Sequence, residues 1–195
     1  MGIWPVDFLL VEMRETVNTL RIKNTKMNTK ELLSRYAAGQ RNFIDVDLMA
    51  ANLKNVNLSN INLSGAKLNG AKLNNANLTK ANLTNVNLSG AKLGGARLSG
   101  ANLTKADLSK TDLHTTNLSY AYLHEANFSS ANMGNVDLMG ANLTGANLNG
   151  ASLIGANLTK ANLALTDLTN VDLSDVNLSH AYLRGATMPD GTKHD

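Results

Sequence analysis

Apolar residues return at every fifth position of this chain, from residue 43 to residue 188, without a slip. All 30 of these positions are apolar and 26 are leucine; the exceptions are Phe43, Phe128, Met133 and Met188. Two residues before each lies a smaller side chain, which after Arg41 is Ala or Val except at Ile61, Thr111, Thr116 and Thr166. A short fixed period of this kind predicts a repeat architecture over residues 41–190.

The five-residue period excludes both regular alternatives. On an α-helix, each unit would rotate the leucine by about 140°, so the leucines would not share a face. In a flat strand, an odd period puts successive leucines on opposite sides. Gly and Asn recur two residues after leucine, as at Gly65 and Asn60, and favour turns with positive φ. A chain that turns once in every pentapeptide, with Leu and Ala inward, is an all-β solenoid.

The repeat unit resembles that of a known family. The strings ANLTKANLTN at 76–85 and GANLTGANLN at 140–149 are close to the consensus of pentapeptide repeat proteins, especially the cyanobacterial members. The resemblance covers residues 41–190. It implies a right-handed quadrilateral β-helix with four pentapeptides per coil, so residues 20 apart become vertical neighbours. A rod of that length should measure roughly 36 Å, from coils about 4.8 Å apart.

Outside the repeat, the pattern predicts helix. Residues 1–26 have apolar positions at helical spacing and form an expected N-terminal extension. In residues 27–40, Asn28 and Glu31 make a capping box, and Gly39 is suited to end the helix. We expect this second helix to cap the first coil with Leu32, Leu33 and Tyr36.

The C-terminal end is predicted to lack such a cap. The sequence Pro189-Asp190-Gly191 is a turn signal that ends the repeat, and residues 191–195 are a polar tail. An uncapped coil exposes strand edges, which predicts homo-association through this end as one option.

Composition narrows the functional classes. The absence of cysteine excludes disulfides and thiol chemistry. A convex rod offers no cleft for converging groups, so no enzyme activity, catalytic residue or cofactor is predicted. His114 and His124 fall on opposite faces, so no metal site is predicted. The whole chain holds 18 basic and 15 acidic residues, and a surplus of only three does not indicate a nucleic-acid partner, so no direct nucleic-acid binding is expected.

No run of about 18 uninterrupted apolar residues is present, so no membrane span is expected. Residues 1–13 are apolar, but they carry Asp7 and lack a basic start, which argues against a signal peptide. Membrane contact through residues 3–13 is a disfavoured alternative, and a cytoplasmic location is the default expectation.

Charge is uneven along the rod. Residues 41–110 have a balance of +6, and residues 111–190 a balance of −5. Some charges should pair between coils, as Lys105 with Glu125 and Lys92 with Asp112. Such exposed pairs contribute only about 0–1 kcal/mol each.

One surface motif breaks the monotony of the repeat. SYAYLH at 119–124 recurs as SHAYLR at 179–184, and the offset between the two strings equals three coils of four pentapeptides. Exposed aromatics beside Arg and His are typical of protein interfaces. The candidate partner-binding edge therefore comprises Tyr120, Tyr122, His124, His180, Tyr182 and Arg184. The competing interpretation is that outward positions accept any residue and the aromatics fall there by chance.

The sequence thus favours a non-enzymatic scaffold that presents a rigid rod to a protein partner of unknown identity. The alternative, suggested by quinolone-resistance proteins of the same family, is a DNA-mimicking modulator of a type II topoisomerase such as gyrase. The near-neutral charge of the rod disfavours that alternative.

Overall fold

The computed structural model of the protein describes residues 25–195. The predicted extension 1–26 lies almost wholly outside the described residues, and the candidate membrane-contact segment 3–13 lies outside them entirely. A single helix among the described residues, α1 (Thr29–Ala37), precedes the repeat. From residue 41 onward, the pentapeptides repeat one conformation, and residues 20 apart pair in parallel.

Stacked backbone hydrogen bonds hold the coils together. The amide of Leu83 donates to the carbonyl of Asn102 at 2.7 Å, and the amide of Asn102 donates to the carbonyl of Ala81 at 2.9 Å. Pairs such as Asn82 and Asn102 recur through the rod at this same offset. Four pentapeptides therefore complete one coil. We number the four faces from the pentapeptides that begin at residues 41, 46, 51 and 56.

The interior consists of leucine and alanine columns, as predicted. Mid-rod side chains such as Leu103 and Ala101 are fully buried, as are Phe128 and Met133. The three inward threonines are buried too, and their hydroxyls donate to the carbonyls of Leu108, Leu93 and Leu143. Each of these hydroxyls is thereby satisfied, which removes the cost of burying it.

The fifth position of each pentapeptide makes the turn. Its φ is positive at Gly140 (+65°), and it is also positive at Asn60, Lys80 and Leu165. Non-glycine residues bear a steric cost in this left-handed region, so Asn and Gly were the expected occupants. The stacked hydrogen bonds hold large side chains in it as well.

Helix α1 caps the first coil. Asn28 accepts a hydrogen bond from the Glu31 amide at 2.9 Å, but Glu31 pairs with Arg35 at 2.6 Å, so only half of the predicted capping box forms. Leu32 is fully buried, and Leu33 and Tyr36 pack against the core. The Tyr36 hydroxyl donates to the carbonyl of Ser59 at 2.9 Å, which anchors the helix to the rod.

Residues before α1 already pair with the rod. Lys26 pairs in parallel with Asp47, and the Met27 amide donates to the Asp47 carbonyl at 2.9 Å. The Met27 side chain is only 4% exposed. Residues 26 and 27 therefore add a partial coil beneath the second face.

The C-terminal end differs from the expectation of an uncapped coil. Gly191, with φ +85°, reverses the chain, and Lys193 pairs antiparallel with Thr187. The Met188 amide donates to the Thr192 carbonyl at 2.7 Å, and the His194 amide donates to the Ala186 carbonyl at 2.9 Å. The polar tail thus covers the edge of one face. The other end positions, at Leu173, Leu178 and Leu183, remain only partly buried.

The third face also ends its ladder early. Asn132 pairs with Ser152, but no pairing joins Ser152 to Asp172 in the described chain. Ile154, in the same pentapeptide as Ser152, is 58% exposed. The last coil is therefore less regular on this face than the uninterrupted period predicts.

Opposite consequences are expected for acidic substitutions at adjacent residues. Leu103→Asp places a carboxylate in a fully buried position and should lower the free energy of unfolding by more than about 4 kcal/mol. Asn102→Asp keeps the oxygen that accepts from the Thr104 amide at 3.0 Å and should have little effect. Urea unfolding of both variants measures this difference, and equal losses would refute the inward assignment of leucine.

Removal of the cap should expose the first coil. Deletion of residues 1–40 removes Met27 and Leu32 and leaves unpaired edges, so aggregation is expected. Deletion of residues 1–24 keeps both contacts and should give a monodisperse protein. Light scattering compares the two truncations, and equal monodispersity would show that α1 does not protect the rod.

Candidate interaction edge

The six residues of the candidate edge lie along one corner of the rod, where the fourth face meets the first. Tyr120 and His180 occupy the fifth position of the fourth face, and Tyr122 and Tyr182 the second position of the first face. We call the set Tyr120, Tyr122, His124, His180, Tyr182 and Arg184 the tyrosine edge. Its two clusters are three coils apart, which is about 14 Å.

The aromatic side chains of the tyrosine edge point into solvent. Tyr120 and Tyr122 are each 58% exposed, and Tyr182 is 51% exposed. Leu165, at the adjoining corner of the first face, is 66% exposed. Only six large hydrophobic residues in the described chain are exposed in this way, the others being Met49 and Ile154. Four of the six thus share one side of the rod.

Two of these tyrosines replace a side chain that the fold uses. In the same column, Asn102, Asn142 and Asn162 each accept the amide two residues later, at 3.0–3.1 Å. Tyrosine has no oxygen that can reach this amide. Within residues 25–195, no such bond is made at Tyr122 or Tyr182, so the His124 and Arg184 amides lose that acceptor. The turns at Tyr122 and Tyr182 therefore lack a side-chain hydrogen bond that asparagine makes in the other coils of this column.

Tyr120 rests in a notch formed by a glycine. A Cβ added at Gly140, one coil further, would lie 2.7 Å from Cε1 and 2.8 Å from Cδ1 of the Tyr120 ring. At Gly185, an added Cβ would lie 2.9 Å from a methyl carbon of Leu165. Fifth-position side chains such as these lean toward the next coil, and glycine in that coil makes room for them.

His124 is fixed by two acceptors. Its Nδ1 lies 2.9 Å from the carbonyl oxygen of Thr144, and its Nε2 lies 2.9 Å from Oε1 of Glu125. The other oxygen of Glu125 lies 3.4 Å from Nζ of Lys105, which confirms the pair predicted from the sequence. The carboxylate next to the tyrosine edge is therefore engaged with its own neighbours.

The corner is cationic. Lys160 and Arg184 are the only Lys or Arg residues between 111 and 190, and both lie here. Lys80 is in the same column as Tyr120, two coils before it. Four outward columns run along this corner, through Ser119, Tyr120, Tyr122 and His124, and they contain no Asp or Glu from residue 42 to residue 184. Among the described residues, Lys80, Lys160 and Arg184 form no ion pair.

Another polar cluster lies on the third face, away from the tyrosine edge. Asp112 Oδ1 lies 2.8 Å from His114 Nδ1 and 3.0 Å from the side-chain nitrogen Nδ2 of Asn132. Burial raises the pKa of Asp112, but hydrogen bonds from His114 and Asn132 and the charge of His114 outweigh it and leave the pKa below its usual value. Lys92 neighbours Asp112 as predicted, but these described residues form no ion pair because Asp112 bonds to His114 and Asn132 instead.

The Asp172 carboxylate accepts hydrogen bonds only within its own turn among the described residues. Its carboxylate accepts from the hydroxyl of Ser174 at 2.6 Å and from the Ser174 amide at 2.9 Å, and these bonds lower the pKa of Asp172. In residues 25–195, no three His, Cys, Asp or Glu residues are grouped to hold a metal ion. The same part of the chain has no helix long and apolar enough to cross a membrane.

The sequence motif identified the tyrosines but missed two features of the edge. The cation Lys80 is in the column of Tyr120, two coils before it, a spacing that was visible in the sequence. The seat of Tyr120 on Gly140 was not visible, because it depends on the direction in which the ring leans.

The coils and their surface define a β-helical repeat protein. The sequence matches the model of the pentapeptide repeats, with eight copies, over residues 47–85, 81–119, 106–145, 121–159 and 151–188. The chain belongs to the pentapeptide repeat family, as its sequence indicated, and has the right-handed quadrilateral β-helix of that family.

Solved structures of the family are similar to the chain. HetL, a pentapeptide repeat protein involved in heterocyst differentiation regulation from the cyanobacterium Nostoc sp. strain PCC 7120, is 32% identical over 86% of this chain and 100% of its own, with a TM-score of 0.26. Rfr23 from the cyanobacterium Cyanothece 51142 is 30% identical over 74% of this chain and 95% of its own, with a TM-score of 0.33.

QnrB1, a plasmid-mediated fluoroquinolone resistance protein, is 20% identical over 72% of this chain and 79% of its own, with a TM-score of 0.31. At that identity and TM-score the likeness supports no inference about this chain. The comparison with curated proteins gives no match.

The seat of Tyr120 can be tested by adding one methyl group. Gly140→Ala and Gly90→Ala both place alanine at positive φ, +65° and +64°, and should each cost about 1–2 kcal/mol. Only Gly140→Ala meets a ring, because nothing lies within 4 Å of a Cβ at Gly90. NMR of labelled tyrosine should therefore show a shifted Tyr120 signal in Gly140→Ala alone. An unchanged Tyr120 signal would contradict this packing.

Proposed function

We propose that the protein is a non-enzymatic scaffold that binds a protein partner along the tyrosine edge. The observation that carries this proposal is the replacement of two column asparagines by Tyr122 and Tyr182, three coils apart. Each replacement removes a hydrogen bond from the turn and leaves an aromatic side chain more than half exposed. Exposed tyrosines that make no such bond belong to the residue type that is enriched among the dominant contacts of protein interfaces.

The rigid backbone supports this role. Inner coils bond to the coils on both sides of them, so the spacing between the two clusters is set by the fold and not by loops. A surface of fixed spacing loses little conformational entropy when a partner binds. Tyr and Arg are also among the residues that most often dominate the binding energy of protein interfaces.

The geometry indicates how a partner would lie. The clusters at 120–124 and 180–184 are about 14 Å apart along the rod axis. The column between Tyr122 and Tyr182 contains Asn142 and Asn162, which are small enough to leave a flat path. A helix or an extended segment of the partner, parallel to the rod axis, can contact both clusters at once.

The alternative function is a DNA-mimicking modulator of a type II topoisomerase such as gyrase. Mimicry of DNA requires a continuous acidic surface, whereas the distinctive corner of this rod has no acidic residue in four columns. The similarity to QnrB1, at 20% identity and a TM-score of 0.31, does not support it. Inhibition of gyrase supercoiling by the purified protein would favour this alternative over the scaffold.

The remaining expectations from the sequence stay predictions. They are a cytoplasmic location, no direct nucleic-acid binding, and homo-association through the C-terminal end. The surface available for homo-association is smaller than the sequence predicted. The tail pairs with residues 186–188, so only the other three faces of the last coil have open edges.

Restoring asparagine at both positions should separate stability from binding. The double variant Tyr122→Asn, Tyr182→Asn regains an acceptor for the His124 and Arg184 amides and should be more stable by about 0.5–1.5 kcal/mol per site. The same variant should lose most of the partner that wild-type protein captures from its native cells. Urea unfolding and quantitative mass spectrometry of the captured proteins measure the two effects.

The matched control is the reverse change in the same column. Asn82→Tyr removes the bond to the Thr84 amide, which is 3.1 Å long, two coils before Tyr122. It should lower stability by about 0.5–1.5 kcal/mol and leave capture unchanged. Equal capture by wild type and the double variant would overturn the proposed function.

A further inference from the structure

The unpaired cations of the corner indicate the charge of the partner. Lys80 and Lys160 are each two coils from Tyr120, and Arg184 lies in the second tyrosine cluster. None of the three has an acidic partner among the described residues. Elsewhere in residues 111–190 the surface is acidic, with seven Asp or Glu residues and no other Lys or Arg. The two Lys or Arg residues of this acidic half, Lys160 and Arg184, therefore lie at the corner that carries the exposed tyrosines.

The fold does not require this arrangement. The fifth position is occupied by Asn60, Gly100 and Gly140 in the same column, so lysine is not needed for the turn. Nor do these lysines neutralise the acidic groups of the rod. At the other three corners, acids such as Asp107, Asp112 and Asp175 share the outward columns with lysine or polar residues.

We infer that the partner presents an acidic segment to the tyrosine edge. Its carboxylates contact Lys160 between the two clusters, Arg184 in the C-terminal cluster and Lys80 toward the N-terminal end. Its apolar side chains cover the three exposed tyrosines. The inference rests on the proposed function, since it names the chemistry of the segment that docks there. Complementary charge steers encounter and sets the orientation of the segment, while the aromatics supply most of the affinity.

A nucleic acid fits this corner less well. Single strands bind along grooves with many cations, and their phosphates repeat with every nucleotide. The corner offers three Lys or Arg residues over more than five coils, and between the tyrosines it presents asparagine. A second copy of the chain is a further occupant to be tested, because its third face carries Asp172 and Asp175.

Selection from a random peptide library displayed on phage tests the inference without assuming a sequence. Clones are selected on wild-type protein and then compared on the Tyr122→Asn, Tyr182→Asn variant. Clones that need the tyrosines should be enriched in Asp and Glu relative to the starting library. Neutral or basic clones that need the tyrosines would overturn the acidic segment and leave the proposed function intact. Absence of any clone that needs the tyrosines would overturn both.

Charge reversal then tests the named cations. The selected peptide, made synthetically and labelled with fluorescein, should bind about tenfold more weakly to Lys160→Glu, Arg184→Glu. Glutamate is compatible with the turn, since Glu125 has φ +55° and Lys160 has φ +59°. The matched control, Lys72→Glu with Lys92→Glu on the third face, makes the same change in net charge and should bind within about twofold of wild type.

Three results would overturn the acidic segment in favour of another explanation. Equal losses in the two charge-reversal variants would indicate a general effect of net charge. Tighter binding of a labelled oligouridylate than of the selected peptide would indicate a nucleic acid. Self-association in analytical ultracentrifugation that Lys160→Glu, Arg184→Glu abolishes would indicate a second copy of the chain.

Discussion

Hydrogen bonding between coils is the constraint on which the rest of this structure depends. The third-position amide donates to the second-position carbonyl of the next coil, as Leu83 does to Asn102. The second-position amide donates to the first-position carbonyl of the coil before, as Asn102 does to Ala81. These bonds require residues 20 apart to stay in register, which an uninterrupted run of pentapeptides provides. The period therefore has no slip, and leucine and alanine columns fill a coil of fixed size.

The same constraint leaves the outer surface free to vary, but some outward residues omit a hydrogen bond that the common ones make. Asparagine or aspartate at the second position accepts the amide of the fourth, as Asn102 does for Thr104. Lys72, Lys92 and Tyr122 occur at that position without this bond. Each departure weakens one turn while the inter-coil bonds hold the fold. A rod of this kind can therefore carry a specific surface on a uniform interior, and the tyrosine edge is the most concentrated aromatic departure in the described chain.

The five-residue period alone predicted which side chains of the rod are buried and which are exposed. The buried leucines, the hydrogen-bonded threonines and the cap formed by Leu32 and Tyr36 follow from spacing and side-chain chemistry. The four-faced coil came from the family resemblance, since the period by itself does not set the number of faces. The antiparallel tail at Lys193 was missed, because a short polar segment has no periodicity, and only its turn at Gly191 was visible.

The candidate edge was predictable in part. Two similar strings, at 119–124 and 179–184, placed the tyrosines on one corner once the coil was known to contain four pentapeptides. The packing of Tyr120 against Gly140 and the pairing of Glu125 with His124 depend on side-chain conformations, which a repeat pattern does not encode. The cations of this corner were also visible in the sequence. Their significance became clear only when residues 20 apart were grouped into columns, because four neighbouring columns then contain no Asp or Glu.

Amide hydrogen exchange along one column tests most directly whether the tyrosines replace a stabilising side chain. The amides of Thr104, Thr144 and Ala164 are bonded to asparagine oxygens at 3.0–3.1 Å. The amides of His124 and Arg184 each lie two residues after a tyrosine and lack that acceptor. We expect these two amides to exchange at least about tenfold faster than the other three when measured by NMR. Equal rates at all five would contradict the account, since the tyrosines would then cost the fold nothing.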